Sequence, residues 1–192
     1  MQNESNLLSD KQLVEAVLYG NTQDFALILK NTERLVAQIV RRMTVNEEDQ
    51  KDLVQDIYIK AYQNLSTFKF QSKLSTWVAT IAYNTTINFL NKKKIRWLDF
   101  DKEAETIIFQ GGNVEEELSK NEITLMVHHE LNQLPPLYKT LISLYHIEEL
   151  PNKEIAEITQ LPEGTIKSYL YRARKILKNN IENNYKMNPN EQ

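Results

Sequence analysis

Long basic side chains cluster in one short stretch near the end of the chain. From Thr165 to Lys178 there are five basic residues and no acid, a local charge of +5. Long cations reach phosphates and guanine edges, and short polar groups let a helix approach the bases closely. The pattern indicates a helix that reads duplex DNA in the major groove, rather than an ordinary solvated basic helix. At helical spacing its outward face carries Lys167, Ser168, Tyr171, Arg172 and Lys175.

A tight corner between two short helices positions this face. Pro151 and Pro162 each suit the first turn of a helix, and Glu154 and Glu163 favour the positive end of the helix dipole. The sequence therefore predicts a helix-turn-helix over 151–178. Its inward-facing residues are predicted to be Ile155 and Ile158 in the first helix and Ile166, Leu170, Ala173 and Leu177 in the second.

A second candidate site is a row of acids on a predicted helix from Glu47 to Tyr62. Asp49, Asp52 and Asp56 share one face of this helix, opposite its apolar stripe. Three carboxylates with no His, Cys or phosphate-binding loop nearby make a poor metal or acid–base site. The row is either a solvated face or a contact for another protein.

A third candidate is the loop-like segment FKFQSKLSTW, residues 68–77, and the helix that follows it. The polar face of that helix presents Thr80, Asn84, Asn88 and Lys92. Aromatic rings beside amides and cations suit single-stranded nucleic acid, because rings stack on bases while cations follow phosphates. Aromatic residues at helical spacing also build cores, and that alternative stays open for Trp77 and Phe89.

Composition predicts an all-α protein without a catalytic centre. The 192 residues include only 4 Gly and 5 Pro, and their apolar residues recur at helical spacing over long stretches. The absence of Cys excludes disulfides, thiolate metal sites and a cysteine nucleophile. There are only three histidines, and no Gly-rich phosphate loop occurs. We expect no catalytic residues, no metal and no cofactor.

The helical pattern divides the chain into two small domains. It covers residues 9–95 with four or five helices, of which the last ends in a basic cluster. It then breaks over 96–122, where eight acids face two lysines between Asp99 and Glu122 and Gly111-Gly112 interrupts the sequence. It resumes over 123–184, and 185–192 is a polar tail. The prediction is a first domain at 1–95, a flexible acidic linker and a helix-turn-helix domain at 123–184.

The remaining features bear on where the protein acts. The first ten residues lack the basic head and apolar run of a signal peptide, and no stretch approaches the ~20 apolar residues of a spanning helix. We therefore expect a cytoplasmic protein that does not insert into membranes. The net charge of −3 is unevenly distributed, because the basic residues cluster in the two candidate DNA-binding segments.

Over residues 9–182 the chain resembles the extracytoplasmic-function sigma factors of bacterial RNA polymerase, within the sigma-70-like family. The motifs occur in the family's order: DLVQDIYIKAY, then STW with a helix ending at Lys92-Lys93-Lys94, then the run from Leu134 to Leu177. The resemblance implies a factor that directs core polymerase to promoters, initiates transcription by melting the minus-ten element and reading the minus-thirty-five element, and catalyses no reaction. Its implied partners are core RNA polymerase, promoter DNA and an anti-sigma factor.

The resemblance also assigns roles to the three candidate sites. Polymerase binding would fall on Asp49, Asp52, Gln55 and Asp56. The minus-ten element would contact Phe68, Lys69, Phe70, Gln71, Ser72, Lys73, Asn84, Asn88, Lys92 and Lys93. The minus-thirty-five element would contact Thr165, Lys167, Ser168, Tyr171, Arg172 and Lys175.

Two departures from the family pattern affect DNA recognition. The loop of the family usually has a Gly and an acid after its first aromatic–basic pair, whereas here Phe68-Lys69 is followed by Phe70 and Gln71. Lys167 stands where the family often has Arg, which reads guanine with two parallel hydrogen bonds. Neither the base preference of the loop nor the minus-thirty-five sequence follows from these residues.

An alternative is a helix-turn-helix regulator with an N-terminal sensor or dimerisation domain. It explains residues 151–178 equally well, but not the basic segment 92–96 or the acidic row on 47–62. DNA binding without polymerase separates the two classes. A repressor should bind a duplex site tightly by itself, and a sigma factor should not.

Overall fold

The computed structural model describes residues 9–92 and 122–187, and every regular element within these ranges is helical, as the sequence predicted. The first range contains α1 (Asp10–Leu18), α2 (Phe25–Met43), α3 (Glu47–Gln63) and α4 (Leu74–Lys92), with single 3-10 turns at Thr22–Asp24 and Leu65–Thr67. The second contains α5 (Glu122–Gln133), α6 (Pro136–His146), α7 (Asn152–Thr159) and α8 (Glu163–Met187).

Some predicted features lie outside the described residues. One is the part of the basic cluster that follows Lys92, namely Lys93, Lys94 and Arg96. Another is the predicted linker as far as residue 121. Helix α8 continues to Met187, which places 185–187 of the predicted polar tail in a helix. Residues 188–192 are not among those described.

Helix α2 is the central element of the first domain. Its buried residues recur every three or four positions, so one face packs against both α3 and α4. Thr32 is buried on this face, and its hydroxyl lies 2.7 Å from the Ile28 carbonyl oxygen and 3.2 Å from the Tyr58 hydroxyl of α3. The polar atoms of this buried contact therefore satisfy one another.

The first residue of α1 forms a hydrogen bond with the first residue of α4. Ser9 caps α1 in a reciprocal capping box with Gln12. The next residue, Asp10, accepts a hydrogen bond from the backbone N–H of Leu74 at 2.8 Å. Because Leu74 is the first residue of α4, this carboxylate satisfies one of the free donors of that helix and complements its dipole.

The corner between α7 and α8 forms as the sequence predicted. Ile155, Ile158 and Ile166 are fully buried, and Leu170 and Ala173 continue the stripe along α8. The chain turns at Gln160, which adopts a left-handed conformation with φ of 59°. The prolines stand one residue before each helix rather than inside its first turn, since α7 begins at Asn152 and α8 at Glu163.

The two domains pack against each other along two seams. Helix α6 lies against α2, and α7 lies against α4. Buried apolar side chains form one cluster that includes residues of both domains. None of the helices in the described parts of the chain is long and apolar enough to span a membrane.

Candidate functional site: three surfaces

The cationic face of α8 is open to solvent. Lys167, Ser168, Tyr171, Arg172 and Lys175 are exposed, and Thr165 is half-buried at the start of the row. Tyr171 is 68% exposed although it is aromatic, so its ring is not part of the core. The Ser168 hydroxyl donates to the Gly164 carbonyl oxygen at 3.0 Å. The structure thus brings the six predicted residues together on one side of a single helix.

Arg174 lies two helical turns after Lys167, at the edge of the cationic face, and it contacts α6. Its Nε donates to Nε2 of His146 in α6 at 3.1 Å, and its guanidinium lies 5.3 Å from the ring centre of Tyr145. Burial and the Arg174 charge lower the pKa of His146, which favours the neutral ring that accepts this hydrogen bond. Arg174 therefore joins α8 to α6, although it contributes to the +5 charge of the segment.

The loop between α3 and α4 separates its two phenylalanines. Phe68 is only 6% exposed, and its ring contacts both Phe70 and Trp77. Phe70 is 47% exposed and has a φ of 56°, in the left-handed region that favours glycine. Phe68, which the sequence assigned to DNA contact, is therefore a buried support, and Phe70 is the ring that solvent reaches.

The polar residues of this loop differ in their exposure to solvent and in their contacts with other helices. Lys69 and Gln71 are exposed, and Ser72 is half-buried. Lys73 is exposed, but its Nζ lies 2.6 Å from Oε1 of Glu154 in α7. The structure therefore places one of the predicted minus-ten residues in an ion pair with the helix-turn-helix.

Along α4 the predicted polar line is only partly open. Asn84, Asn88 and Lys92 are exposed at successive turns. Thr80, which begins the line, is half-buried, and its hydroxyl lies 3.3 Å from the Glu157 backbone oxygen of α7. The expectation that Thr80 faces outward is therefore wrong in this arrangement. Trp77 and Phe89 are half-buried against the core, as the structural alternative held.

The acids of α3 form an open ridge, which we define as Asp49, Asp52 and Asp56. Asp52 and Asp56 are exposed, and Asp49 is half-buried in the first turn of the helix. The side-chain oxygen of Asn46 caps this turn by accepting from the Asp49 backbone N–H at 2.9 Å. Opposite charge on a partner would find two of the three carboxylates freely accessible.

A groove of about 1430 Å³ runs between α2 and α3, and the sequence reasoning missed it. Gln55 lines it, whereas none of the three ridge acids does. The signal that could have revealed it is a second set of apolar residues on α3, away from the predicted stripe. The apolar lining consists of Phe25, Leu29, Ala37, Val40, Val54, Tyr58, Ile59 and Tyr62, with charged residues Glu33, Arg41, Glu47 and Lys51 beside them.

Comparison with known families matches both domains. The sequence model of Sigma-70 region 2 matches residues 28–95, and that of Sigma-70, region 4 matches residues 124–177. The first match contains most of α2 and all of α3 and α4, and the second contains most of α5, all of α6 and α7, and α8 as far as residue 177.

Individual relatives match over almost their whole length. The ECF RNA polymerase sigma-E factor of Escherichia coli K12 is 35% identical over 93% of this chain and 97% of its own. The Haemophilus influenzae factor of the same name is 33% identical over 91% and 96%. Among solved structures, the sigma factor RpoE in complex with the anti-sigma factor NepR from Bartonella quintana has a TM-score of 0.64 and 22% identity, covering 83% of this chain and 98% of that one.

Proposed function

The chain belongs to the extracytoplasmic-function sigma factors of bacterial RNA polymerase, and from that membership we propose that it directs core polymerase to promoters and catalyses no reaction itself. Two matched regions in the order of the family and relatives covered at 96 to 97% of their length support this function. Such a factor works where polymerase and chromosome are, so the proposal places it in the cytoplasm.

The observation that carries the proposal is that one chain presents two separate faces suited to different forms of DNA. One is the cationic face of α8, which follows a helix-turn-helix corner. The other is the exposed aromatic, amide and lysine surface of the α3–α4 loop and α4. A third, acidic and apolar, surface on α2 and α3 remains for a protein partner.

The face on α8 is proposed to read the minus-thirty-five element as duplex. Helix α8 would lie in the major groove with Lys167, Ser168, Tyr171 and Arg172 toward the bases and Lys175 toward the backbone. Thr165, which is half-buried, stands at the helix start where the backbone approaches a phosphate most easily.

The minus-ten element is proposed to bind as a melted strand. Phe70 offers a ring to an unpaired base, with Lys69, Gln71 and Ser72 beside it and Phe68 beneath. Asn84, Asn88 and Lys92 would follow the strand along α4, and the family resemblance adds Lys93 to the proposed contacts. Stacking on an aromatic ring offsets part of the free energy needed to unstack a base.

The polymerase is proposed to contact two surfaces of α3, which are the acidic ridge and the groove that α3 forms with α2. The ridge would face basic residues of the clamp helices of the largest subunit, and Gln55 would join the ridge to the groove. An apolar groove between two helices accommodates the apolar face of a third, so a helical partner fits this surface. Anti-sigma binding is proposed as well, supported by the complex of the structurally similar Bartonella factor.

We propose domain limits of 1–95 and 123–184 for these two functions, with 96–122 as the connection between them. The test is to mix the purified protein with bacterial core polymerase, examine co-elution, and sequence run-off transcripts from genomic DNA of the source. Co-elution with new discrete start sites is the expected result. If the protein fails to bind core polymerase but binds duplex DNA tightly by itself, the helix-turn-helix regulator is favoured. The match of residues 28–95 to Sigma-70 region 2 supports the first outcome.

A further inference from the structure

Tyr169 lies on α8 at the border between the buried stripe and the cationic face. At helical spacing it falls between Ala173, which belongs to the stripe, and Arg172, which belongs to the cationic face. Its side chain is half-buried, whereas Ala173 is fully buried and Arg172 is exposed. Tyr169 can therefore contact both the core of the second domain and a residue proposed to read DNA.

The ring of Tyr169 packs against a buried ring of α6. Its centre lies 5.5 Å from the centre of the Tyr138 ring, and the two planes are inclined by 48°. Such a separation is typical of stabilising aromatic pairs. Because Tyr138 is buried and belongs to the apolar core, it restricts the orientation of the Tyr169 ring.

The guanidinium of Arg172 lies over the ring of Tyr169. Its central carbon is 5.9 Å from the ring centre, within the range of cation–π interactions. The two residues are three positions apart and are therefore neighbours on the helix surface. We call the three side chains the Tyr138–Tyr169–Arg172 stack. It runs from the core to the cationic face, and all three residues belong to the second domain.

The orientation of a guanidinium matters for reading a base. Arginine recognises guanine by donating two parallel hydrogen bonds from one planar group, so the plane must be aligned with the base edge. A long side chain that is already ordered loses less rotamer freedom when it binds. A phosphate contact carries no sequence information and tolerates many orientations of the cation. The stack should therefore affect base recognition more than general attraction to DNA.

We propose that Tyr169 is a positioning residue for minus-thirty-five recognition, which orients the guanidinium of Arg172 toward a guanine and is itself fixed by Tyr138. The recognition role rests on the proposed function of the α8 face, whereas the stack itself does not. Tyr169 acts through Arg172 and contacts no base. Its substitution should lower the sequence preference at one position of the element, without a general loss of DNA affinity.

Nuclear magnetic resonance of the arginine side chains tests the stack in the free, full-length protein. The Nε–Hε signal of Arg172 is identified because it disappears in Arg172→Ala. In the wild type this signal should show an upfield ring-current shift and a high order parameter. Tyr169→Leu keeps an apolar side chain against Tyr138 but removes the ring, so both effects should decrease. An Arg172 signal that is the same in the wild type and the Leu variant overturns the stack.

Promoter selection by the factor bound to core polymerase tests the recognition role. The probe is a promoter library randomised over the minus-thirty-five element. The wild type should prefer guanine at one position, and Arg172→Ala should lose that preference. Tyr169→Leu should lower the same preference by about two- to fivefold and leave the other positions unchanged. In the Arg172→Ala background it should have no further effect, because the side chain that it positions is absent.

Tyr169→Phe is the matched control, because it keeps the ring and removes the phenol. Burial raises the pKa of Tyr83 in α4 to about 12, and the nearby phenol of Tyr169 adds to this effect. The stack needs only the ring, so the Phe variant should match the wild type in both experiments. If Tyr169→Leu lowers stability in urea unfolding, Tyr169→Met provides a second variant without a ring. An equal loss of preference in the Phe and Leu variants overturns the positioning role.

The remaining outcomes separate this inference from the proposed function. A loss at every position of the element would mean that Tyr169 only packs α8 against α6, and it overturns the positioning role. An unchanged guanine preference in Tyr169→Leu overturns it as well. A wild type that selects no minus-thirty-five sequence contradicts the proposed function of the α8 face and the recognition role together, and the Arg172 signal then decides the stack independently.

Discussion

The ring of Phe70 packs against the ring of Phe68 with 4.8 Å between centroids, and Phe68 in turn packs against Trp77. Exposure falls from 47% at Phe70 to 6% at Phe68. The exposed ring is therefore supported by the buried ring of Phe68 and the half-buried ring of Trp77, and it can offer one face to a base without first becoming ordered. Such preorganisation lowers the entropy lost on binding.

Phe70→Ala should weaken promoter melting more than promoter-independent polymerase binding. Removal of one base-stacking ring costs about 1–3 kcal/mol, which is roughly a five- to 150-fold loss of open complex. Permanganate reactivity of the minus-ten thymines measures the effect. Phe70→Tyr keeps the ring and should retain most of the activity. An equal loss for both variants would assign Phe70 a role other than stacking.

The backbone at Phe70 gives a second, independent prediction. Its φ of 56° is unfavourable for any residue with a Cβ. Phe70→Gly and Phe70→Ala lose the same ring, but only Gly relieves the backbone. We expect the Gly variant to be more stable than the Ala variant by about 1 kcal/mol in urea unfolding. The reverse order would indicate that the loop has another conformation in solution.

Helical periodicity allowed the helix-turn-helix to be predicted in detail. A spacing of 3.6 residues per turn fixes which side chains share a face, so Ile155, Ile158 and Ile166 could be assigned to the core from the sequence. The family pattern also singled out Phe70, because it stands near the place of a usual Gly, and the structure gives that position a backbone that glycine favours.

Contacts between distant parts of the chain could not be predicted in this way. Thr80 meets Glu157 across 77 positions, and Lys73 meets Glu154 across 81. Such pairings leave no period in the sequence, so Thr80 was expected to face solvent. The groove between α2 and α3 was missed for the same reason, since its walls come from two helices whose relative position periodicity does not define.

The α8 face yields a prediction on sequence-specific binding. Arg172→Ala should weaken binding by about 1–3 kcal/mol at promoters with a good minus-thirty-five element, and transcription from these promoters should fall accordingly. Promoters that depend mainly on the minus-ten element should change little. Lys178→Ala is the matched control, because it removes the same charge from the same helix at a residue paired with Glu182. Equal losses on all templates would make Arg172 a phosphate contact.

The ridge and the groove should contribute differently to polymerase affinity. Asp52→Ala with Asp56→Ala removes exposed charges, so its effect should be a severalfold loss that shrinks as salt increases. Ile59→Ala removes apolar area from the groove, so its loss should hardly depend on salt. Binding titrations with core polymerase at two salt concentrations measure both, and circular dichroism checks the fold. Unchanged affinity of the double variant would remove the ridge from the interface.

Lys139 lies in α6 at the seam with α2, and it should make the free energy of unfolding of the protein depend on pH. Burial, and to a smaller extent the charge of Arg42, lower its pKa to about 8, and its Nζ donates to the Asn132 carbonyl oxygen at 3.3 Å. Because the unfolded lysine titrates at 10.5, the unfolded chain holds more protons between these values. The free energy of unfolding should therefore rise as pH increases through this window.

Urea unfolding of wild type and Lys139→Met from about pH 7.5 to about pH 9.5 measures this slope. The upper limit avoids tyrosine ionisation, since burial raises the pKa of Tyr83 to about 12 and its contribution has the opposite sign above pH 10. The Met variant should give a flatter profile, because it has no proton to lose. Lys30→Met, which removes an exposed lysine from α2, should retain the wild-type slope. Equal slopes for wild type and Lys139→Met would mean that Lys139 is solvated and that this seam is open in solution.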